Sequence, residues 1–214
     1  MLRKIPYYKL LLSVLLIVGC VPFTFSNLQS AKMIRKGKVE FTPSYSSSIN
    51  TNYFGFQTAY GLNERKNFRL RLERIMIDFD DFENDSSSFI DMSKFNFKAN
   101  LTHLSFGLKY QLIKNKSAFY FPISFTIYDF KNDIFTQLEP TYIHTFTLGK
   151  NLEFNPSIKA LIPIYPDPKG FMLALNLGLG ISPNFTKWVI RSEAGYLLYS
   201  GGIYNMSIGL SIYP

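Results

Sequence analysis

Cysteine, histidine and charge are all scarce in this chain. It has 214 residues, of which one is cysteine and two are histidine. A single cysteine excludes an internal disulfide framework and a zinc cluster of cysteine type. Two histidines leave little for a histidine-based metal site, and no metal or cofactor is expected. Charged residues make up 18% of the chain and hydrophobic residues 47%. That balance excludes disorder, which goes with few apolar residues and much unpaired charge. Beyond the leader there is no uncharged apolar run of membrane-helix length, so a bundle of membrane helices is excluded as well. The net charge of +8 is scattered through turns and among acids. With no basic helix or aromatic RNA-binding motif, no nucleic acid partner is expected.

The N-terminus carries an export signal. Arg3, Lys4 and Lys9 precede an apolar run from Leu10 to Val18, too short to cross a membrane as a helix. Residues 1–19 are read as a signal peptide of lipoprotein type, because Ile17-Val18-Gly19-Cys20 resembles a bacterial lipobox. That resemblance implies diacylation of Cys20, and Val21 after it resembles lipoproteins sent to the outer membrane. The other reading is ordinary cleavage further on, for example after Thr24-Phe25-Ser26, with Cys20 discarded. Residues 20–37 read as a periplasmic tether, since Pro22, Asn27, Gln29 and Ser30 break any apolar period before Lys32, Arg35 and Lys36.

What the chain has in quantity is aromatic residues, with 21 Phe and 14 Tyr, and alternation. Phe171, Leu173, Leu175, Leu177, Leu179 and Ile181 share one face of an extended segment, while Met172, Ala174, Asn176, Gly178, Gly180 and Ser182 share the other. Such segments run for about 10–14 residues, longer than the usual strand of a soluble sandwich and long enough to cross a bilayer at a tilt. About ten of them follow one another: 38–48, 51–62, 67–79, 100–113, 117–128, 133–147, 151–164, 170–182, 185–199 and 202–213. In the third, Phe68, Leu70 and Leu72 give way to Ile75, Ile77 and Phe79, a change of phase that predicts a bulge near Glu73-Arg74. Short turns such as Asn63-Glu64-Arg65-Lys66 and Lys114-Asn115-Lys116 alternate with longer connections, above all the acidic, Ser-rich stretch 80–99. Two aromatic girdles are expected. One is Tyr53, Phe79, Phe82, Tyr128 and Tyr199; the other is Phe68, Tyr110, Phe146, Phe185, Trp188 and Tyr213.

These features predict an all-β fold: a transmembrane antiparallel up-and-down β-barrel of about ten strands, within 8–12, over residues 38–214. The chain resembles small outer-membrane β-barrel proteins of Gram-negative bacteria. The stretches Gly37-Lys38-Val39-Glu40-Phe41-Thr42-Pro43-Ser44-Tyr45 and Ala59-Tyr60-Gly61-Leu62-Asn63-Glu64-Arg65 are similar to uncharacterised barrel proteins with lipoprotein-type leaders. The resemblance implies a location in the outer membrane, in contact with its lipid. The last segment, Tyr204 to Pro214, looks like the strand read by the barrel-assembly machinery, though it ends in Pro214 rather than an aromatic. An even strand number with tight turns in the periplasm places both termini there.

Apolar side chains on the lipid face send the opposite phase inward. That phase carries Lys38 together with Glu40, Arg69, Arg71, Glu73, Lys109, Glu139, Glu153, Lys159, Arg191 and Glu193. The two signs nearly balance, which predicts ion pairs across a narrow interior rather than a selective pore lined by one sign. The leading functional expectation is a non-enzymatic, structural or narrowly porin-like barrel. Three alternatives stand beside it. Residues 80–99 can present a surface to an external ligand. A soluble periplasmic lipid-binding barrel would show similar alternation. And His103-Leu104-Ser105 resembles the His-x-Ser motif of an outer-membrane lipid A deacylase family, in which His activates Ser as nucleophile. It departs from that family at Phe106, where Asn is usual, and by facing the lumen. Asp78, Asp80, Asp81 and Asp85 are similar only in type to the carboxylates of an outer-membrane protease family, whose loops are longer.

Overall fold

The computed structural model describes residues 26–78, 98–128, 134–165, 170–198 and 202–214. The signal peptide, Cys20, nearly all of 80–99, and the girdle candidates Phe79, Phe82 and Tyr199 lie outside the described residues. Among the described residues there are twelve strand runs. They are β1 (Val39–Ser48), β2 (Thr51–Asn63), β3 (Lys66–Asp78), β4 (Lys98–Ile113), β5 (Ser117–Tyr128), β6 (Ile134–Leu138), β7 (Thr141–His144), β8 (Phe146–Thr147), β9 (Leu152–Tyr165), β10 (Met172–Ile181), β11 (Trp188–Leu198) and β12 (Ile203–Ile212).

Neighbouring runs pair antiparallel, and β12 pairs back onto β1 with Phe41 opposite Ile212 and Ser48 opposite Asn205, so the sheet closes on itself. The runs β6, β7 and β8 are pieces of one stave. β6 and β7 pair with β5 on one side, and all three pair with β9 on the other. The result is a closed antiparallel barrel of ten staves. The sequence reads 133–147 as one strand. The stave breaks at Glu139-Pro140, where proline has no N–H for the ladder, and again at Thr145, whose N–H turns to the Lys116 carbonyl at 2.7 Å.

One end of the barrel holds the β2/β3, β4/β5, β8/β9 and β10/β11 connections; it is called the turn end here. The opposite loop end holds the β1/β2, β3/β4, β5/β6, β9/β10 and β11/β12 connections. Asn50 and Asn115 take the left-handed conformation their turns require, with φ of 52° and 57°. The barrel is built inside out relative to a soluble domain. Leu177, Ile208 and Met206 are 57%, 53% and 71% exposed on the outer face, while Lys109 and Glu153 are 1% and 0% exposed inside.

The change of phase in β3 is not a bulge. Pairing runs without a slip from Asn67 opposite Gly61 to Ile77 opposite Thr51, and from Lys66 opposite Tyr110 to Asp78 opposite Lys98. Register shifts occur instead beside turns, at Gly61/Asn63 and Gln111/Ile113, and in the broken stave at Thr136/Gln137. Ile75 and Ile77 keep the inward phase and pack with Tyr53 and Leu101, with Tyr128 against them. Across the loop end, Leu161, Ala174 and Leu197 form a second inward cluster with Phe135, Met172 and Ile203. The lumen is therefore apolar toward the loop end, and the alternation reverses chemical sense there without reversing direction.

The girdles differ from expectation for the same reason. Tyr53 is buried inside, and Tyr128 packs on the inward cluster. Phe185 lies under the Lys32 ammonium. Tyr213 bonds to Glu40 and Arg191 within the lumen. Phe68, Tyr110 and Phe146 do face outward near the turn end, joined by Tyr142 and His144 in a ladder whose rings lie 6.5 and 4.5 Å apart. At the loop end the outward aromatic pairs are Tyr45 with Phe54 and Tyr196 with Tyr204, each 4.7 Å apart.

The inward register of β3 is open to test. Ile75→Ala is expected to lower unfolding free energy by about 2–5 kcal/mol, as for an aliphatic side chain removed from a core. Met76→Ala, on the outer face, should change it by no more than about 0.5 kcal/mol. Urea unfolding in detergent micelles, followed through Trp188 fluorescence, measures both, and equal losses at the two positions would refute the register.

Candidate functional site

The lumen is not empty space between charged walls. Residues 26–37, which the sequence reads as part of a tether outside the barrel, run through it. Ser26, Asn27, Leu28, Gln29, Ser30, Ala31 and Ile34 are all buried. The segment descends from the middle of the barrel to the turn end. There Gly37 donates its N–H to the Gly61 carbonyl at 2.8 Å, with Gly37 in the left-handed region at φ 75°.

The wall holds this segment mainly by its backbone. Glu193 accepts two consecutive N–H groups, from Asn27 at 2.6 Å and Leu28 at 3.0 Å. Lys109 donates to the carbonyls of Ser30 at 2.7 Å and Lys32 at 3.1 Å. Thr145 accepts the Ala31 N–H at 2.7 Å. The Asn67 amide, oriented with its oxygen toward Ile34, accepts that N–H at 2.9 Å. Arg71 and Lys159 both donate to the Ser26 carbonyl. Leu28 has φ 45°, in the left-handed region that costs a side-chain-bearing residue energy. That turn aims both N–H groups at one carboxylate.

Two side-chain contacts add to the backbone ones. The Lys32 ammonium lies 2.8 Å from Glu153 and over the Phe185 ring. Asn27 donates to Ser157 at 2.8 Å. Space for the segment comes in part from glycine, since a side chain on Gly61 of β2 would run into the Ile34 and Arg35 carbonyls. A side chain on Gly209 would come within 3.2 Å of Leu28 Cδ1.

All of Glu40, Arg69, Arg71, Glu73, Lys109, Glu139, Glu153, Lys159, Arg191 and Glu193 are buried in the lumen. They fall into two groups. Near the turn end, Glu40 lies 3.1 Å from Arg69 and 3.8 Å from Arg191, and Arg191 lies 2.8 Å from Glu153. The Tyr213 hydroxyl donates to Glu40 and accepts from Arg191, each at 3.0 Å. At mid-lumen, Arg71 pairs with Glu73 at 2.6 Å and Lys159 with Glu139 at 3.1 Å. Two charges bond chiefly to the backbone of the 26–37 segment: Lys109 to the Ser30 and Lys32 carbonyls, and Glu193 to the Asn27 and Leu28 N–H groups. Lys38, counted inward from the sequence, is exposed at the turn-end mouth because it precedes the first strand pair.

His103 and Ser105 share the inward face and are both buried. They do not form a nucleophile–base pair among the described residues. His103 Nδ1 is 3.1 Å from Thr126 Oγ1, and its Nε2 lies 3.6 Å from Glu139. A buried lumenal serine faces away from the apolar exterior where a lipid substrate would lie. His144 sits outside, between Tyr142 and Phe146. Among the described residues there is no cluster of three or more His, Cys, Asp or Glu suited to a metal ion.

Sequence reasoning missed Asn67, Thr145, Ser157 and Tyr213, and above all the segment itself. One signal was available. Residues 26–31, Ser-Asn-Leu-Gln-Ser-Ala, are uncharged and, Leu28 apart, small or polar, which suits a guest in a crowded polar lumen.

No protein-family model matches the chain, and no curated protein matches it. Solved structures give low-level likeness. The N-terminal β-barrel domain of OprF from Pseudomonas aeruginosa is 11% identical, with 84% of this chain and 98% of that one covered and a TM-score of 0.34. Ail, the attachment invasion locus protein of Yersinia pestis, is 12% identical, with 84% and 99% covered and a TM-score of 0.35. The translocator domain of the autotransporter NalP from Neisseria meningitidis is 6% identical, with 96% and 95% covered and a TM-score of 0.42. At these scores the likeness assigns no role, and the fold rests on the strand pairings themselves.

The shared ion network has a measurable signature. Arg191→Met strips a partner from both Glu40 and Glu153, and the expected loss is about 3 kcal/mol, the low end for stranding a buried charge, because Arg69 and Lys32 remain. Adding Glu153→Gln to Arg191→Met should cost clearly less than Glu153→Gln alone. Strict additivity in a double-mutant cycle of urea unfolding would mean that the two side chains do not interact.

Proposed function

We propose that this protein is a non-enzymatic barrel of the bacterial outer membrane, sealed by its own N-terminal segment and structural rather than conducting. The observation that carries this reading is the pairing of an apolar outer surface with a filled lumen. The outer face presents Leu, Ile, Phe and Met along every long stave. An exposed apolar area of that size is unstable in water and matches the hydrocarbon belt of a membrane barrel. The staves of 10–16 residues suit a tilted crossing. Inside, residues 26–37 occupy the space that a solute would need, and the walls spend Lys109 and Glu193 on holding them. A pore selects ions with unpaired lumenal charge of one sign, whereas here the charges are committed to one another and to the segment.

In this reading the turn end faces the periplasm, the side from which the assembly machinery works, and the C-terminal strand β12 closes the barrel against β1. A soluble lipid carrier would put its apolar side chains inside and its charges outside, the reverse of the burial seen here.

Two measurements test the proposal. Purified protein, shown to be folded by heat-dependent gel mobility, should stay silent in planar bilayers. Discrete conductance steps would overturn the sealed barrel. Leu177→Arg, at the middle of β10 on the outer face, should cost about 2–4 kcal/mol of folding free energy in lipid vesicles. An unchanged folding midpoint would mean that this face does not meet lipid.

A further inference from the structure

We propose that the rim of the turn end is a collar for anionic phospholipid, its lysines and arginines binding the phosphodiesters of the leaflet around it. The collar rests on the reading above, in which the outer face meets lipid and the turn end faces the periplasm. Charge is its first ground. Arg65 and Lys66 lie at the β2/β3 turn, Lys114 and Lys116 at the β4/β5 turn, Lys150 at the β8/β9 turn and Lys187 at the β10/β11 turn, all exposed. Arg35, Lys36 and Lys38, also exposed, add to them where the lumenal segment passes into β1. Among the described residues Glu64 is the one acidic side chain exposed at this end. The carboxylates just inside the mouth, Glu40 and Glu153, are taken by Arg69, Arg191 and Lys32.

Position is the second ground. The rim cations stand beside apolar side chains. Exposed Val39 follows Lys38, exposed Leu112 and Ile113 precede Lys114, exposed Leu148 comes two before Lys150, and half-buried Trp188 follows Lys187. The Lys66 ammonium lies 5.3 Å from the ring centroid of Tyr110, which is exposed on the outer face. With the apolar neighbour in hydrocarbon, the charged tip reaches the level of the lipid phosphates, where the outward Phe68, Tyr110 and Phe146 also belong. Distribution decides between occupants. Cations sit at all four turns and at the entry to β1, so they encircle the barrel. A protein partner would cover one sector, whereas surrounding lipid meets every turn at once. An anionic leaflet attracts basic residues held at its surface, and salt screens that attraction.

Trp188 reads the test. It is the chain's one tryptophan, it shares the outward parity of the exposed Ile190, and it adjoins Lys187. The β8/β9 turn lies beside it, with Ser182 donating to the Asn151 carbonyl at 3.0 Å. The folded full chain is placed in phosphatidylcholine vesicles that carry an equal small fraction of either phosphatidylglycerol or phosphatidylcholine brominated on its acyl chains. Bromine quenches tryptophan on contact. At low salt the apparent local enrichment of phosphatidylglycerol over phosphatidylcholine is expected to be about twofold or more. In about 1 M salt, where the Debye length is roughly 3 Å, it should fall toward one. Lys38→Gln, Lys150→Gln and Lys187→Gln combined, which leave the lumenal pairs intact, should abolish the preference in protein shown to be folded by gel mobility. Equal quenching of the wild type by the two lipids at low salt overturns the collar and leaves a soluble polyanion as the occupant of the rim. A preference that survives the three substitutions overturns it as well, since the anion is then held elsewhere. Quenching by neither lipid overturns it through the reading it rests on, because the outer face would then not meet lipid.

Discussion

Every long polar side chain that the strand period turns inward must find its partner inside a space only ten staves wide. That constraint governs the rest of this structure. Alternation sorts side chains by parity, so the apolar outer face and the charged inner face are one decision. With lipid outside, the outer face needs nothing further. The inner face does: stranding a buried charge costs several kcal/mol. Arg191 between Glu40 and Glu153, Arg71 on Glu73 and Lys159 on Glu139 are the answers the wall supplies for itself.

The wall does not complete the task alone. Long charges project inward from β3, β4, β9 and β11, while the inward positions of the interleaved β10, β12 and β1 are mostly small. The room left by small residues such as Gly180 and Gly209 is taken by wall charges such as Glu153 and by residues 26–37. The latter bring backbone N–H and C=O groups to Glu193 and Lys109. The segment is thus held by buried charges that would lose these bonds without it.

Much of this fold was legible because membrane strands are long and their outer faces uniformly apolar. Ten segments, their phase and most of their ends follow from side-chain parity in stretches such as Phe171 to Ile181. The ten lumenal charges were legible for the same reason, since each shares parity with a polar or small neighbour. What could not be read was any property depending on depth along the barrel axis. Parity tells inside from outside but not top from bottom. Ile75 and Ile77 therefore looked like a slip of phase, when they line an apolar stretch of lumen near the loop end. Tyr53 and Tyr213 looked like girdle residues because only their distance from a strand end was visible. The lumenal segment has no period at all. Before Gly37 its bonds to the wall run mainly from its backbone to distant side chains, and nothing in local sequence records them.

The segment and the closing seam are also physically linked. Gly37 and Lys38 connect the lumenal segment directly to β1, the strand that must pair with β12. Glu40, two residues on, meets Arg69 of β3, Arg191 of β11 and Tyr213 just past β12. Thr42 and Ser211 bond across the same seam at 2.8 Å. The first and last strands are thus joined by a ladder and by a buried ion cluster, and that cluster adjoins the segment through Glu153 and Lys32. An open seam would expose Glu40 and Arg191 to partial hydration and loosen Glu153, while an absent segment would remove Lys32 from Glu153. Each event weakens the other's contacts, so occupancy of the lumen and closure of the barrel favour one another. The N-terminal segment is better understood as the barrel's eleventh wall element, turned inward, than as a tether that happens to lie nearby.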